Sequence, residues 1–185
     1  MRLTEQAHAL ILPFLIPGGI AVDATAGNGH DTAFLAKTLG PGGRVHAFDI
    51  QQTAVEATRQ RVHTLTDAAE VVIHPESHER MGTLVPTPAC AILFNLGYLP
   101  GGQKTITTRT DSTLRALDQA LERLDAPGIL TLIAYPGHEA GVAETRAVAA
   151  WFNRQCHPER IVGGIDPDAA SPSSAPRLFY LQRLT

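Results

Sequence analysis

Short apolar runs alternate with segments of helical periodicity along most of the chain. Seven apolar runs have the length of strands, and several of them end at an acid or an amide. These runs are predicted as strands: Ile20–Asp23, Arg44–Asp49, Glu70–Ile73, Ala89–Asn95, Gly128–Tyr135, Arg160–Gly163 and Leu178–Arg183. Segments with apolar residues every three or four positions are predicted as helices: Thr4–Leu15, a segment from near His30 to Leu39, Gln52–Leu65, Ser112–Leu124 and Ala140–Phe152. Thr4 is the expected N-cap of the first helix, and Thr110 or Asp111 that of the fourth.

The order of these elements predicts an α/β fold. Strands that alternate with helices form a parallel sheet covered by helices on both faces. The last two strands have no helix between them, so they are expected to add an antiparallel hairpin. The prediction is a doubly wound, Rossmann-like sheet of seven mostly parallel strands, with an N-terminal helix in front. A length of 185 residues suits one domain, expected to span residues 1–185.

The amino-acid composition indicates the class of protein and its expected location more clearly than its function. The apolar fraction of 44% and the charged fraction of 18% are ordinary for a soluble globular protein. A net charge of -3 means that a nucleic-acid partner would need a local basic patch. Cys90 and Cys156 do not make a disulfide framework. We expect no signal peptide, no membrane segment and a cytoplasmic location.

The segment Asp23–Thr32 is the first candidate for a binding site, because it predicts a strand, a small-residue turn and a helix. Glycines at 27 and 29 would let a ligand reach the backbone, and a helix N-terminus suits a carboxylate or phosphate. A dinucleotide fingerprint would need a third glycine where Thr32 stands. The alternatives are the nucleoside-binding loop of S-adenosylmethionine methyltransferases, with Thr25 where the first glycine often stands, and a glycine turn without a ligand.

An acid at the end of the second strand extends this site. Asp49 lies 26 positions after Asp23 and is placed to accept hydrogen bonds from ribose hydroxyls, or to cap the helix that begins at Gln52. His74 and His78 suggest a metal, but no third ligand stands nearby, so we expect no metal site. The other interpretation is a loop over an adenine, with Ser77 or His78 bonding a ring nitrogen.

The segment Asn95–Tyr98 is the second candidate site. An Asn side-chain oxygen and the next carbonyl can accept both N–H groups of an amine and aim its lone pair at a methyl group. Tyr98 can pack on the target or face a sulfonium. A plain strand-end turn is the alternative. Ligands in such sheets bind beyond the carboxyl ends of the strands, so Asp23, Asp49, Asn95 and the segment 135–138 are expected to converge.

Three motifs together resemble one family. Asp23–Thr32, Asn95–Gly102 and Tyr135–His138, followed by Glu144 and Trp151, resemble the YtqB/MnmM-type class I methyltransferases, long described as rRNA methylases. The resemblance implies S-adenosylmethionine as cofactor and the anticodon region of tRNA as partner. It also implies conversion of wobble 5-aminomethyl-2-thiouridine into 5-methylaminomethyl-2-thiouridine. Gln103 departs from the family, in which an Asp is expected before Lys104.

The resemblance and the residue chemistry give one set of predicted site residues. The catalytic residues are Asn95, Tyr98 and His138. The cofactor-binding residues are Asp23, Thr25, Gly27, Asn28, Gly29, Asp31, Thr32, Asp49, Ile50, Ser77, His78 and Asn95. The substrate-binding residues are Leu96, Gly97, Lys104, Arg109 and Tyr135. His138 is a candidate proton acceptor or a loop residue that bonds backbone.

Several alternatives remain open at this point. The same fold could methylate rRNA, a protein or a small molecule. An NAD-dependent oxidoreductase is disfavoured by Thr32 and by the C-terminal hairpin, and a non-catalytic nucleotide-binding module is disfavoured by Asn95–Tyr98. Apolar helix faces serve a core and a homodimer interface alike.

Overall fold

The computed structural model describes residues 1–86, 88–97, 108–137, 139–165 and 174–184. Its strands are β1 Ile20–Asp23, β2 Arg44–Phe48, β3 Glu70–His74, β4 Ala89–Asn95, β5 Leu124–Ala134, β6 Arg160–Ile165 and β7 Arg177–Arg183. Its α-helices are α1 Leu3–Ile11, α2 His30–Leu39, α3 Gln52–His63, α4 Met81–Leu84, α5 Thr110–Arg123 and α6 Glu139–Arg154. Short 3-10 helices cover Leu12–Phe14 and His78–Arg80.

All seven strands join one sheet in the order β3-β2-β1-β4-β5-β7-β6. The first five strands run parallel, whereas β7 runs antiparallel to both β5 and β6. This confirms the predicted seven-stranded, mostly parallel sheet with a C-terminal hairpin. The chain builds outward from β1 to β3 and then returns to place β4 on the other side of β1. The carboxyl ends of β1 and β4 therefore form the switch point at which such sheets open a crevice.

Helices cover both faces of the sheet, and each face has its own apolar core. On one face, Ala21 and Leu93 pack with Leu35 and with Ile11 of α1. On the other face the buried set includes Val22, Phe94, Met81, Leu117 and Trp151. Strand β4 contributes to both cores and is buried along its length, which explains its uninterrupted apolar sequence.

The helix boundaries differ locally from those predicted. Helix α1 begins at Leu3, one residue before the expected cap Thr4, and the carboxylate of Glu5 accepts the backbone N–H of Arg2 at 2.9 Å. Helix α5 begins at Thr110, so neither Thr110 nor Asp111 is its cap. The stretch after His74, predicted as a loop, contains a 3-10 turn and α4. Within the described ranges, no helix is long and apolar enough to cross a membrane.

Candidate functional site

A cavity of about 980 Å³ opens at the switch point between β1 and β4. This volume is at the upper end of the range for small-molecule sites. Thirteen of the predicted site residues line it: Thr25, Gly27, Asn28, Asp31, Asp49, Ile50, Ser77, His78, Asn95, Leu96, Gly97, Arg109 and Tyr135. Tyr98, Lys104 and His138 lie outside the described residues. Residues of both predicted motifs therefore meet in one cavity with Asp49 and Tyr135.

Asp23 and Thr32, predicted as cofactor ligands, lie behind the cavity wall rather than in it. Asp23 is completely buried, and its carboxylate accepts the backbone N–H of Thr25 at 3.1 Å and the hydroxyl of Thr32 at 2.6 Å. Burial, and secondarily the nearby charge of Asp31, raises the pKa of Asp23 to about 7. Asp23 thus joins the end of β1 to the first turn of α2 and sets the shape of the loop between them.

Gly29 is also absent from the wall, and the packing of the loop itself requires a glycine there. Its backbone is left-handed, with φ +77°, and an added Cβ would lie 2.8 Å from the Cα of Thr58 in α3. The close approach of the loop to α3 therefore requires a glycine at this position.

Two residues of α3 that were not predicted hold the same loop. The hydroxyl of Thr58 donates to the carbonyl of Gly27 at 3.2 Å, and Nε of Arg61 donates to the carbonyl of Asn28 at 2.7 Å. Their spacing of three residues puts both on one side of the helix. The sequence offers no other signal for these two residues, and their spacing does not show that they bond the loop at residues 27–28.

Asp49 has both carboxylate oxygens engaged by backbone. One oxygen accepts the N–H of Gly27 at 3.0 Å, and the other accepts the N–H of Gln51 at 2.9 Å. The Gly27 N–H is therefore not available to a phosphate, which argues against a dinucleotide pyrophosphate here. Asp49 does not cap α3, whose cap position is Gln51. Burial raises the pKa of the Asp49 carboxyl.

His74 and His78, the two histidines considered as metal ligands, have separate partners. His78 is buried, and its Nδ1 lies 3.1 Å from the carbonyl of Ala24, so Nδ1 carries the hydrogen and donates. His74 lies beside His46, with 2.9 Å between Nε2 of His74 and Nδ1 of His46. Among the residues that the structure describes, no three metal-binding side chains come together. Ser77 turns the chain here, and its hydroxyl accepts the Glu79 N–H at 3.4 Å.

Asn95 sits at the end of β4 with its amide oriented by an acid. Its backbone N–H donates to the hydroxyl of Thr25 at 2.6 Å, and its side-chain Nδ2 donates to Asp31 at 3.3 Å. The other oxygen of Asp31 accepts from Nε2 of His8 in α1 at 2.7 Å. Because the amide nitrogen is directed to Asp31, the amide oxygen of Asn95 is left as the acceptor on this side of the cavity.

The described residues on either side of segment 98–107 are tied together. Gly97 and Thr108 exchange hydrogen bonds, from the Gly97 N–H to the Thr108 hydroxyl at 3.3 Å and from the Thr108 N–H to the Gly97 carbonyl at 3.3 Å. The buried carboxylate of Glu144 accepts the hydroxyls of Thr108 at 2.7 Å and Thr113 at 2.8 Å. Glu144 thus anchors the return of the chain from Asn95 to α5.

Tyr135 follows β5 and lies against the loop after β4. A Cβ added to Gly97, whose φ is +122°, would lie 3.6 Å from Cδ2 of the Tyr135 ring. Burial, and secondarily the charge of Asp31, raises the pKa of Tyr135, so the phenol stays neutral at physiological pH. Trp151, which follows the three motifs that resemble the methyltransferase family, is buried. Its Nε1–H donates to Asp118 at 2.7 Å and joins α6 to α5.

Comparison with known proteins assigns the chain to a family. The family model described as "Putative rRNA methylase" matches residues 45–165, about two thirds of the chain. The chain belongs to this rRNA methylase family. One curated relative is the chloroplastic tRNA (mnm(5)s(2)U34)-methyltransferase of Arabidopsis thaliana, 38% identical over 160 residues. The match covers 81% of this chain but only 58% of that relative's length.

Solved structures resemble this member of the rRNA methylase family over its whole length. The crystal structure of a "putative rRNA-methylase" from Clostridium thermocellum has a TM-score of 0.94 and 35% identity, covering 100% of this chain and 98% of that one. A methyltransferase structure from Streptococcus mutans, solved in complex with SAH, has a TM-score of 0.88 and 32% identity. That match covers 100% of this chain and 99% of the other. These matches confirm the Rossmann-like methyltransferase fold.

Proposed function

We propose that this protein is an S-adenosylmethionine-dependent N-methyltransferase that acts on the wobble uridine of tRNA. The reaction would convert 5-aminomethyl-2-thiouridine into 5-methylaminomethyl-2-thiouridine. The observation that carries the proposal is the amide of Asn95, which is held by Asp31 with its oxygen left to accept from an amine. The likeness to a curated enzyme named for this modification supports the choice of substrate.

The charge of the cavity fits the cofactor. S-adenosylmethionine carries a sulfonium and an ammonium, and the carboxylate of Asp31 on the cavity wall would face these charges. We place the methionine end over residues 27–29 and the ribose on Asp49, whose oxygens retain acceptor capacity beyond the two backbone bonds. Ile50 is 61% exposed on the cavity wall and offers apolar surface to the adenine.

Positioning accounts for most of the proposed catalysis. When bound, the cofactor supplies an activated methyl group on sulfur. The lone pair of the substrate nitrogen forms the new N–C bond while the S–C bond breaks, and the product ammonium then loses a proton. Asn95 and the carbonyl of Leu96 would hold the two N–H groups of the neutral amine, so that its lone pair is directed at the methyl group.

The protonation state of the substrate decides what else is needed. An aliphatic amine is mostly protonated at neutral pH. The two acceptors at Asn95 and Leu96 match the two N–H groups of the neutral amine and leave its lone pair free, and the ammonium would lose its proton to solvent before methyl transfer. Tyr135 packs beside Gly97, where it can contact the target base or the sulfonium. The roles of Tyr98 on the target and of His138 as proton acceptor stay predictions.

We expect tRNA to be bound through a local basic surface. Arg109 is exposed on the cavity rim at the start of α5, and Lys104 precedes it in the chain. Replacing both with Ala should raise the KM for tRNA and flatten its salt dependence, with cofactor affinity unchanged. An unchanged salt slope would exclude this surface. The homodimer that the apolar helix faces allow stays a prediction.

Ribosomal RNA is the second candidate substrate, because the family description names rRNA methylases. Both candidates are tested by mass spectrometry of nucleosides from cells with and without the gene, complemented by wild type or by Asn95→Ala. Loss of the methylated wobble nucleoside, restored by wild type only, supports the proposal. A change confined to rRNA nucleosides supports the alternative. No change in either RNA would refute both.

A further inference from the structure

Helix α1 reaches the proposed active site through one side chain. Nε2 of His8 lies 2.7 Å from one oxygen of Asp31, and the second oxygen of Asp31 accepts the side-chain N–H of Asn95 at 3.3 Å. A carboxylate accepts hydrogen bonds, so the His8 ring must donate its Nε2–H. The three side chains thus form one chain of donors and acceptors from α1 to the end of β4.

We propose that His8 is a positioning residue that acts through Asp31 to fix the amide of Asn95. This inference rests on the proposed function, because it concerns the residue that would hold the acceptor amine. The amide of an Asn can be turned by 180°, which exchanges its donor and acceptor ends. An ionised carboxylate accepts only, so Asp31 binds the nitrogen end and turns the oxygen end to the substrate. His8 holds the carboxylate in the position that makes this selection.

The position of His8 is itself constrained. Its ring stacks on Phe34 of α2, with 3.8 Å between ring centroids and 3° between ring planes. The ring therefore cannot tilt without losing this contact. Since Asp31 belongs to the same helix as Phe34, the imidazole is aligned with the acid by two separate contacts with α2.

The contribution of His8 to the fold is small by comparison. Helix α1 is attached to the sheet by Ala7 and Ile11, which are completely buried, whereas the His8 side chain is one quarter exposed. Removing the imidazole therefore leaves the apolar contacts of α1 in place. We expect His8→Ala to fold, so that its effect on the reaction can be measured.

The decisive experiment is a double-mutant cycle on the single-turnover rate with saturating S-adenosylmethionine. His8→Ala alone should lower the rate about tenfold, which corresponds to the loss of about one hydrogen bond at the transition state. In the Asn95→Ala background, His8→Ala should have little further effect, because the group that it positions is gone. A merely structural role for His8 would lower the rate by the same factor in both backgrounds.

The matched control is Gln6→Ala, which removes a polar side chain of α1 that bonds the carbonyl of Met1 instead of the site. Its rate should equal that of wild type. An unchanged rate in His8→Ala, or additive effects of His8→Ala and Asn95→Ala, would overturn the inference.

A second readout separates this inference from the choice of substrate. In ¹H–¹⁵N spectra, the side-chain NH₂ signals of Asn95, assigned by their loss in Asn95→Ala, should shift in His8→Ala and stay in place in Gln6→Ala. If wild type does not methylate tRNA but these signals shift, the proposed substrate is wrong and the coupling of His8 to Asn95 is supported. If tRNA is methylated and the signals do not move, His8 has no such role.

Discussion

Asp49→Ala tests the proposed cofactor site most directly. Each Asp49 oxygen already accepts one backbone N–H, and each retains one further acceptor position for a ribose hydroxyl. Hydrogen bonds to a charged group contribute about 1.5–3 kcal/mol each. Taking the lower value twice gives about 3 kcal/mol, which corresponds to an increase in Kd of about a hundredfold. Isothermal titration calorimetry would measure the Kd for S-adenosylmethionine in the variant and in wild type.

The control for Asp49→Ala is Asp111→Ala, which removes another acid from the cavity wall, at the start of α5 and away from the loop at 24–29. Its Kd should stay within about twofold of wild type, as for a surface substitution. Asp49→Ala also removes the acceptor of the Gly27 N–H, so thermal unfolding of both variants must show that they remain folded at the assay temperature. Equal cofactor affinity in folded Asp49→Ala and wild type would refute the placement of the ribose.

Three further predictions follow from the site and its surroundings. Glu144→Ala leaves the hydroxyls of Thr108 and Thr113 without their acceptor, so the free energy of unfolding measured with urea should fall by about 2 kcal/mol or more. In the same variant, kcat should fall more than cofactor affinity. An unchanged free energy of unfolding would contradict the anchoring role of Glu144. Burial and the neighbouring His74 lower the pKa of His46 from 6.5 to about 4, so its neutral form stabilises the fold above pH 6.5 and this stability is lost as pH falls toward 4. His46→Leu should reduce the acid-induced loss of unfolding free energy by up to about 3 kcal/mol, and an identical pH profile would exclude this role. Asn95→Asp puts a carboxylate about 3.3 Å from the Asp31 oxygen and favours the ammonium form of the substrate. The methyl-transfer rate at pH 7, measured by quench-flow, should therefore fall. A wild-type rate would contradict the proposal that Asn95 orients the neutral amine.

The fold could be predicted because its signals are local. The apolar run of β4 indicates burial on both faces, and the lack of a helical sequence pattern between the last two strands predicts a hairpin. The start of β5 was missed by four residues, because Asp125-Ala126-Pro127 interrupts the apolar run and proline argues against a strand. Helix α4 was missed because four residues are too few to show a period.

The site was predictable in part for a similar reason. Acids and amides at strand ends converge by topology, so Asp49 and Asn95 could be assigned to the cavity from sequence. The supporting contacts join residues far apart in the chain, such as Gly29 with Thr58, and no local pattern reports them. His8 is an example: its position on a mostly apolar helix gives no hint of Asp31, which lies 23 residues away.

The place of β7 in the sheet has a consequence for how the chain folds during synthesis. Strand β6 pairs with β7 and not with β5, so it emerges from the ribosome before its neighbour exists. Until β7 is made, β5 presents an unpaired and almost entirely apolar edge, the kind of edge that promotes aggregation. A chain released before β7 would keep that edge exposed although all residues that line the cavity have been made. Insertion of β7 between β5 and β6 is therefore the step that would cover the apolar edge of β5 and complete the sheet.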